Sequence, residues 1–167
     1  ICAISVALIQ MACVEEKAQQ GAKTTVSVPF KTSFTKPLDE SWQWIRENPD
    51  AHKITEEGLA IKVEPGGLMG GAKDAKNILV RPLPENANWV QVQVHAEHES
   101  QYEQAGLILY ADDDNYVKFV LEMVDGNLNA VMVPEQNAKP LVVLAKPVNQ
   151  SPIDLVMQWK DEKLVCS

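Results

Sequence analysis

The chain has 167 residues, of which 46% are hydrophobic and 23% charged, and its 15 basic and 23 acidic side chains give a formal net charge of −8. This composition is typical of a globular protein and excludes wholesale disorder. The length fits a single domain with a sizeable core. The acidic balance, without any run of Lys or Arg, argues against nucleic acid as a partner. Composition alone indicates no activity.

The N-terminal segment 1–13 is the longest apolar run in the sequence. It is shorter than the roughly 20 residues of a membrane-spanning helix, and its length matches the apolar region of a secretory signal peptide. Ala12-Cys13 followed by acidic residues resembles a bacterial lipoprotein cleavage site. This predicts an exported protein, either secreted or held at the bacterial cell envelope by a lipid on Cys13, with no other membrane contact. An apolar strand or helix is the structural alternative. The polar residues 14–28 are typical of a tether.

Beyond the tether, apolar and polar residues alternate with the period of half-buried β-strands. The clearest case is Trp89–His95, where three valines point to one face and polar side chains to the other. No segment beyond residue 14 keeps a helical apolar stripe for three turns. Further strands are predicted at 59–63, 105–110, 116–122, 128–133, 141–144, 153–159 and 164–166, with a hairpin loop at 112–115. Many short strands without helices predict an all-β, antiparallel two-sheet β-sandwich over residues 29–167.

Five short motifs follow one another along this region. They are Trp42-x-Trp44 with Arg46-Glu47-Asn48-Pro49, Glu57-Gly58-Leu59, Asn77–Pro82, Glu103–Tyr110 and Asp113–Lys118. The ordered set resembles the concanavalin A-like (laminin G-like) domain found C-terminal in family-43 β-xylosidases, and the stand-alone relatives of that domain. The resemblance covers about four-fifths of the chain, from Phe34 onward.

The resemblance implies a jelly-roll sandwich, and a domain of this kind packs against a glycoside hydrolase catalytic domain. The family pattern continues with further strands after 153–159, so the sequence looks truncated at its C-terminus. Such a truncation would leave the sheets without closing strands and with unpaired backbone groups. No catalytic propeller precedes the domain, so the xylosidase activity is not implied.

Five residues are candidates for a carbohydrate-binding site. Trp42 and Trp44 would share one face of a strand, where exposed indoles can stack on sugar rings. Arg46 would extend that face and could bind sugar hydroxyls or a carboxylate. Gln104 and Tyr110 border the next apolar strand, and the amide of Gln104 offers both a donor and an acceptor. The alternatives are buried indoles, a structural ion pair for Arg46, and core packing for the strand residues.

The acidic hairpin 112–115 is a candidate for a structural calcium ion held by Asp112, Asp114 and Asn115. The alternative is a hairpin tip whose acidic side chains are only solvated, because the spacing of these residues does not fit the EF-hand calcium loop. No catalytic motif was found around the three histidines, and no other cofactor is expected.

These observations predict an exported, non-catalytic module that binds a poly- or oligosaccharide or assists glycan degradation. The alternative is a structural or interaction domain that packs against a glycoside hydrolase partner and has no sugar site. The two hypotheses differ in one observable feature, because only a sugar-binding domain needs its indoles at a groove.

Overall fold

The computed structural model describes residues 3–13, 30–160 and 163–167, and for 3–13 it describes the backbone strand alone. The predicted tether 14–28 therefore lies outside the described residues. Within the described ranges no helix is both long enough and apolar enough to cross a membrane.

The described residues form fourteen strands and two single-turn 3₁₀ helices, at Pro49–Ala51 and Met69–Gly71. The strands are β1 (Ala3–Cys13), β2 (Lys31–Thr32), β3 (Gln43–Ile45), β4 (His52–Thr55), β5 (Gly58–Lys62), β6 (Ile78–Val80), β7 (Ala87–His95), β8 (Gln104–Asp112), β9 (Asn115–Val124), β10 (Asn127–Gln136), β11 (Lys139–Pro140), β12 (Leu144–Pro147), β13 (Ile153–Lys160) and β14 (Lys163–Cys166).

The strands form two main sheets and a short ribbon, and every pairing is antiparallel. The larger sheet has the order β14-β13-β7-β1-β5-β4, with β2 paired to β1. The smaller sheet has the order β11-β10-β9-β8, with β12 paired to β10. The ribbon consists of β3 and β6. The prediction of an all-β antiparallel sandwich is confirmed.

The core lies between the two main sheets. Val92 and Val94 of β7 are 1% and 0% exposed, and they belong to one cluster with Phe119 and Leu121 of β9 and Leu155 of β13. The alternation along each strand places one row of side chains in this core. Complete burial of each such side chain stabilises the fold by about 1.5–3 kcal/mol.

The structure departs from the main sequence prediction in two segments. The strand predicted at 141–144 is wrong in position, because β12 begins at Leu144, and residues 141–143 are exposed apolar side chains outside a strand. Segment 1–13 contains β1, which lies between β7 and β5. This placement corresponds to the strand alternative, while export and lipidation of Cys13 stay predictions.

Gly106 allows β8 to approach β9 closely. A Cβ atom at this position would overlap the backbone oxygen of Phe119 and lie 2.7 Å from the Cα of Val120. Both obstacles are backbone atoms of β9, so they cannot move aside as a side chain would.

We therefore expect Gly106→Ala to lower the free energy of unfolding by about 1–3 kcal/mol, the usual cost of overpacking. Urea unfolding measures this loss. Gly67→Ala is the matched control, because its added methyl group would contact only the Ala72 side chain, at 3.2 Å. Equal stability of the two variants would contradict the proposed close approach of the strands.

Candidate functional site

A groove of about 760 Å³ runs along β8. One wall is formed by six consecutive residues of that strand, Gly106–Ala111, and the other by Leu79–Leu83 at the end of the ribbon. β8 pairs with β9 on its far side, and the described residues provide no second strand neighbour. The groove is further lined by Trp42, Val90, Asn115, Tyr116, Val117, Pro134, Glu135 and Gln136. Mostly apolar walls with a few polar groups are typical of small-molecule sites.

Trp42 is half-buried at this groove and is held by other aromatic rings. Its ring centroid lies 5.2 Å from that of Phe34 and 6.1 Å from that of Phe30, with tilted planes in both cases. The guanidinium carbon of Arg81 lies 3.5 Å from the centre of the Phe30 ring and 5.3 Å from that of Trp42. The indole is thus fixed in place at the groove wall.

Arg46 and Tyr110 meet at Asp113. The Arg46 guanidinium donates to both carboxylate oxygens of Asp113, at 2.8 and 3.0 Å, and its Nε donates to the Ala75 carbonyl at 2.6 Å. The Tyr110 hydroxyl donates to Asp113 Oδ1 at 2.6 Å. This cluster joins the end of β3 to the turn between β8 and β9.

The electrostatics of the cluster follow from these bonds. The hydrogen bonds from Arg46, and secondarily from Tyr110, lower the pKa of Asp113. The same carboxylate raises the pKa of Arg46. Burial, followed by the hydrogen bond to Asp113, raises the pKa of Tyr110 to about 12. At neutral pH the cluster therefore consists of an ion pair and a neutral phenol.

A second polar cluster lies on the groove side of β9 and β10. The Tyr116 hydroxyl donates to Glu135 at 2.6 Å, and the backbone N–H of Gly70 donates to both oxygens of the same carboxylate, at 3.1 Å each. Glu135 is only 3% exposed. Burial, helped by this hydrogen bond, raises the pKa of Tyr116. Such a fully bonded carboxylate holds the 3₁₀ turn at Met69–Gly71 against the smaller sheet.

Gln104 belongs to a third cluster at the opposite end of β8. Its amide donates to Glu122 at 2.8 Å and accepts from Lys118 Nζ at 2.9 Å. Lys118 is 7% exposed, and burial lowers its pKa. Tyr110 lies six positions after Gln104 along the extended strand, a distance of about 20 Å. Gln104 therefore does not join the groove.

Trp44 also lies outside the groove lining. Its ring stacks on His52, with centroids 4.2 Å apart and planes 21° from parallel. Of the five predicted carbohydrate-binding residues, the structure thus brings Trp42 and Tyr110 to the groove and links Arg46 to it through Asp113. Trp44 and Gln104 lie elsewhere.

Most side-chain oxygens of the acidic hairpin bond within the protein, and Asp114 Oδ1 is buried without a hydrogen-bond partner among the described residues. Asp112 accepts from the side chain of Asn115 and from the backbone N–H of Asp114, while Asp114 pairs with Lys73 at 2.6 Å. The described residues include no group of three or more His, Cys, Asp or Glu placed to hold a metal ion. A calcium ion at Asp112, Asp114 and Asn115 stays a prediction without support from this geometry.

Three groove-lining residues were not predicted as site residues: Arg81, Tyr116 and Glu135. Arg81 and Tyr116 each lie within a motif that carries the family resemblance, so the sequence contained a signal for both. Glu135 follows the predicted strand 128–133, and its partner Tyr116 is 19 residues away in sequence. Only the register of β9 and β10, which pairs these two residues, reveals the contact.

The fold and the groove define a class of protein, an antiparallel β-sandwich with a lateral groove beside one sheet edge. Residues 44–138, more than half of the chain, match the family described as "Protein of unknown function (DUF1349)". The chain belongs to this family, which has a concanavalin A-like fold. No curated protein matches the chain.

The Arg46–Asp113 pair generates a prediction about stability and pH. We expect Asp113→Asn to lower the free energy of unfolding by about 1–2 kcal/mol at pH 7, because a partly buried ion pair with a second hydrogen bond is lost. Since the folded-state pKa of Asp113 is lowered, its contribution is present above the unfolded value and is lost as the pH falls through the folded one. The difference from wild type should therefore shrink below about pH 4.

Urea unfolding of both proteins between pH 3 and pH 7 measures this dependence. Asp154→Asn is the control, since the exposed Asp154 accepts one long hydrogen bond, at 3.3 Å, from Gln93. A constant difference across the pH range would show that the charge of Asp113 is not the cause.

Proposed function

We propose that this protein is a non-catalytic carbohydrate-binding module and that the groove beside β8 is its binding site. The observation that carries the proposal is the position of the Trp42 indole in a 760 Å³ groove that also presents polar groups. The C–H face of a sugar ring can stack on an indole. Gln136 supplies an amide that can donate to and accept from sugar hydroxyl groups, and the Tyr110 phenol oxygen, whose proton is bonded to Asp113, can accept from one.

Arg46 has a supporting role in this proposal. Its guanidinium is already bonded to Asp113 and Ala75, so we assign it to the positioning of Tyr110 instead of direct contact with sugar. A side chain whose donors are used within the protein has little left for a ligand.

The single acidic residue among the described groove-lining residues favours binding without hydrolysis. Most glycoside hydrolases use two carboxyl groups on either side of the scissile bond, about 5–9.5 Å apart. Glu135 is the one acidic residue among the groove-lining residues described, and its carboxylate is bonded to Tyr116 and Gly70. None of the described groove-lining residues therefore offers an unbonded carboxyl group that could act as nucleophile or acid catalyst.

Export belongs to the same proposal. A protein that binds poly- or oligosaccharides outside the cell would be secreted or anchored at the envelope through Cys13. The net charge of −8 is compatible with solubility in either place.

A second candidate function is docking to a glycoside hydrolase catalytic domain, as in the resembling xylosidase domain. The observation that favours it is the run of Leu141, Val142 and Val143, which are 63%, 55% and 49% exposed. Contiguous exposed apolar residues often mark a protein contact. In this case Val142→Ser would weaken association with the catalytic domain and leave sugar binding unchanged.

For the primary proposal, we expect Trp42→Ala to weaken binding of the best polysaccharide ligand at least tenfold. The stacking surface is lost, and a tenfold change corresponds to about 1.4 kcal/mol of binding free energy. Affinity electrophoresis against a panel of plant and host polysaccharides identifies the ligand, and isothermal titration calorimetry measures the change.

Trp44→Ala is the matched control, because it removes the same side chain from a position stacked on His52 and outside the groove lining. Thermal unfolding of both variants checks that the fold is kept. Equal loss of binding in both variants would contradict the assignment of the groove, and no binding by the wild type to any polysaccharide would overturn the proposed function.

A further inference from the structure

The strand β8 has a free edge, and this edge borders the groove. β8 pairs with β9 on one side, and the described residues supply no strand on its other side. Six consecutive residues of β8 line the groove, and the first and last of them, Gly106 and Ala111, are exposed. The unpaired N–H and C=O groups of an edge strand can bond to another molecule. One wall of the groove therefore consists of main chain as well as side chains.

The register with β9 determines which residues of β8 turn their backbone groups outward. The N–H of Met123 donates to the Glu103 carbonyl at 3.2 Å, so positions 103 and 123 form a hydrogen-bonded pair. In an antiparallel ladder, such pairs alternate with pairs that are not hydrogen-bonded. The register keeps the same offset from position 104 to position 110. Positions 105, 107 and 109 therefore bond to β9.

Gly106, Ile108 and Tyr110 are consequently the residues whose N–H and C=O groups point away from β9. All three line the groove, and none of these groups bonds to the backbone of another described element. Successive outward residues are two positions apart, which is about 7 Å along an extended strand. The free edge thus presents three pairs of one donor and one acceptor in a straight line.

Several polar side chains of the lining already bond within the protein. The Asn115 amide donates within the acidic hairpin, and its oxygen accepts from the Asn137 N–H at 3.1 Å. Glu135 is 3% exposed and bonded to Tyr116. The main chain of β8 therefore supplies a large share of the donors and acceptors that a ligand in the groove can use.

These main-chain groups match the chemistry and the shape of one kind of glycan. A hydroxyl group both donates and accepts, as does each outward residue of β8 with its N–H and its C=O. A chain whose sugar rings follow one another in a straight line can present hydroxyl groups to all three outward residues. A coiled or branched chain leaves this line and bonds to fewer of them.

We propose that the ligand is an unbranched, extended glycan that lies along β8 and hydrogen-bonds to the outward main-chain groups of Gly106, Ile108 and Tyr110 while Trp42 stacks on one of its rings. This inference rests on the proposed function and adds the structural class of the ligand.

The first test compares glycans that differ in the shape of the chain. Calorimetry is done with hexasaccharides of β-1,4-linked glucose, mannose and xylose, which are extended, and with maltohexaose, whose α-1,4-linked glucose chain is coiled. We expect at least one extended hexasaccharide to bind tenfold or more tightly than maltohexaose. Its affinity should also exceed that of the corresponding disaccharide at least tenfold, because a disaccharide reaches fewer outward groups.

The second test measures the main-chain contacts directly in the wild type. Amide hydrogen exchange is followed by NMR with and without the tightest-binding hexasaccharide. Without ligand, the amides of positions 106, 108 and 110 should exchange faster than those of 107 and 109, which bond to β9. At saturation, exchange at 106, 108 and 110 should slow at least fivefold, and by a larger factor than at 107 and 109.

A variant removes one outward N–H. Ile108→Pro eliminates this donor at an edge-strand position where the ladder does not use it, which is where proline is tolerated. Ile108→Ala is the matched control, because it shortens the same side chain and keeps the N–H. We expect the proline variant to bind the hexasaccharide at least fivefold more weakly than the alanine variant. Thermal unfolding checks both folds, and if Ile108→Pro does not fold, the two wild-type tests still decide the matter.

The outcomes separate this inference from the proposed function. Equal affinity for extended and coiled chains, or binding without slower exchange at the three outward amides, would overturn the role of the β8 edge while the groove remains a carbohydrate site. Slower exchange of the same amides with an octapeptide of alternating valine and threonine, and with no glycan, would make the ligand a peptide strand and overturn both proposals. No binding of any glycan would also overturn both.

Discussion

The ion pair between Arg46 and Asp113 holds together the two walls of the groove. Arg46 lies at the end of β3 in the ribbon, and Asp113 lies in the turn between β8 and β9. One wall comes from the ribbon and the other from β8, so the width of the groove depends on this contact. The backbone of Arg46 is left-handed, with φ at 52°, which is costly for a residue other than glycine. A hydrogen bond from Asn77 N–H to the Arg46 carbonyl, at 3.2 Å, helps to hold this conformation.

The residues around Arg46 form a framework for the same contact. Asn77 accepts a hydrogen bond from the backbone N–H of Asn48 at 2.7 Å, and the side-chain amides of both residues donate to Glu64. Asn77 is itself left-handed and only 7% exposed. The two left-handed residues, Arg46 and Asn77, are thus bonded to each other, and Asn77 is bonded in turn to the Glu64 carboxylate. Rigid support of this kind keeps a binding surface in one conformation before the ligand arrives.

The sequence predicted the fold class because the alternation of apolar and polar residues is a local property, visible in β7 and β5 without knowledge of their neighbours. Trp42 and Tyr110 were predicted as site residues for their chemistry, and both line the groove. The prediction that Trp42 and Trp44 share one face of a strand is wrong, because β3 begins at Gln43 and does not include Trp42. The acidic partner of Arg46 is 67 residues away. Contacts at such a separation are set by sheet assembly, and a single sequence does not specify them.

The position of β1 has a consequence for the maturation of the protein. β7 and β5 both pair with β1, so this strand joins the two parts of the larger sheet. Cleavage before Cys13 by a signal peptidase would remove nearly all of it. The opposing edges of β5 and β7 would then each present unpaired backbone groups, and another strand would have to fill the gap. The predicted export processing and the assembly of the larger sheet would therefore require the same residues, and the mass of the purified protein would show whether they are kept.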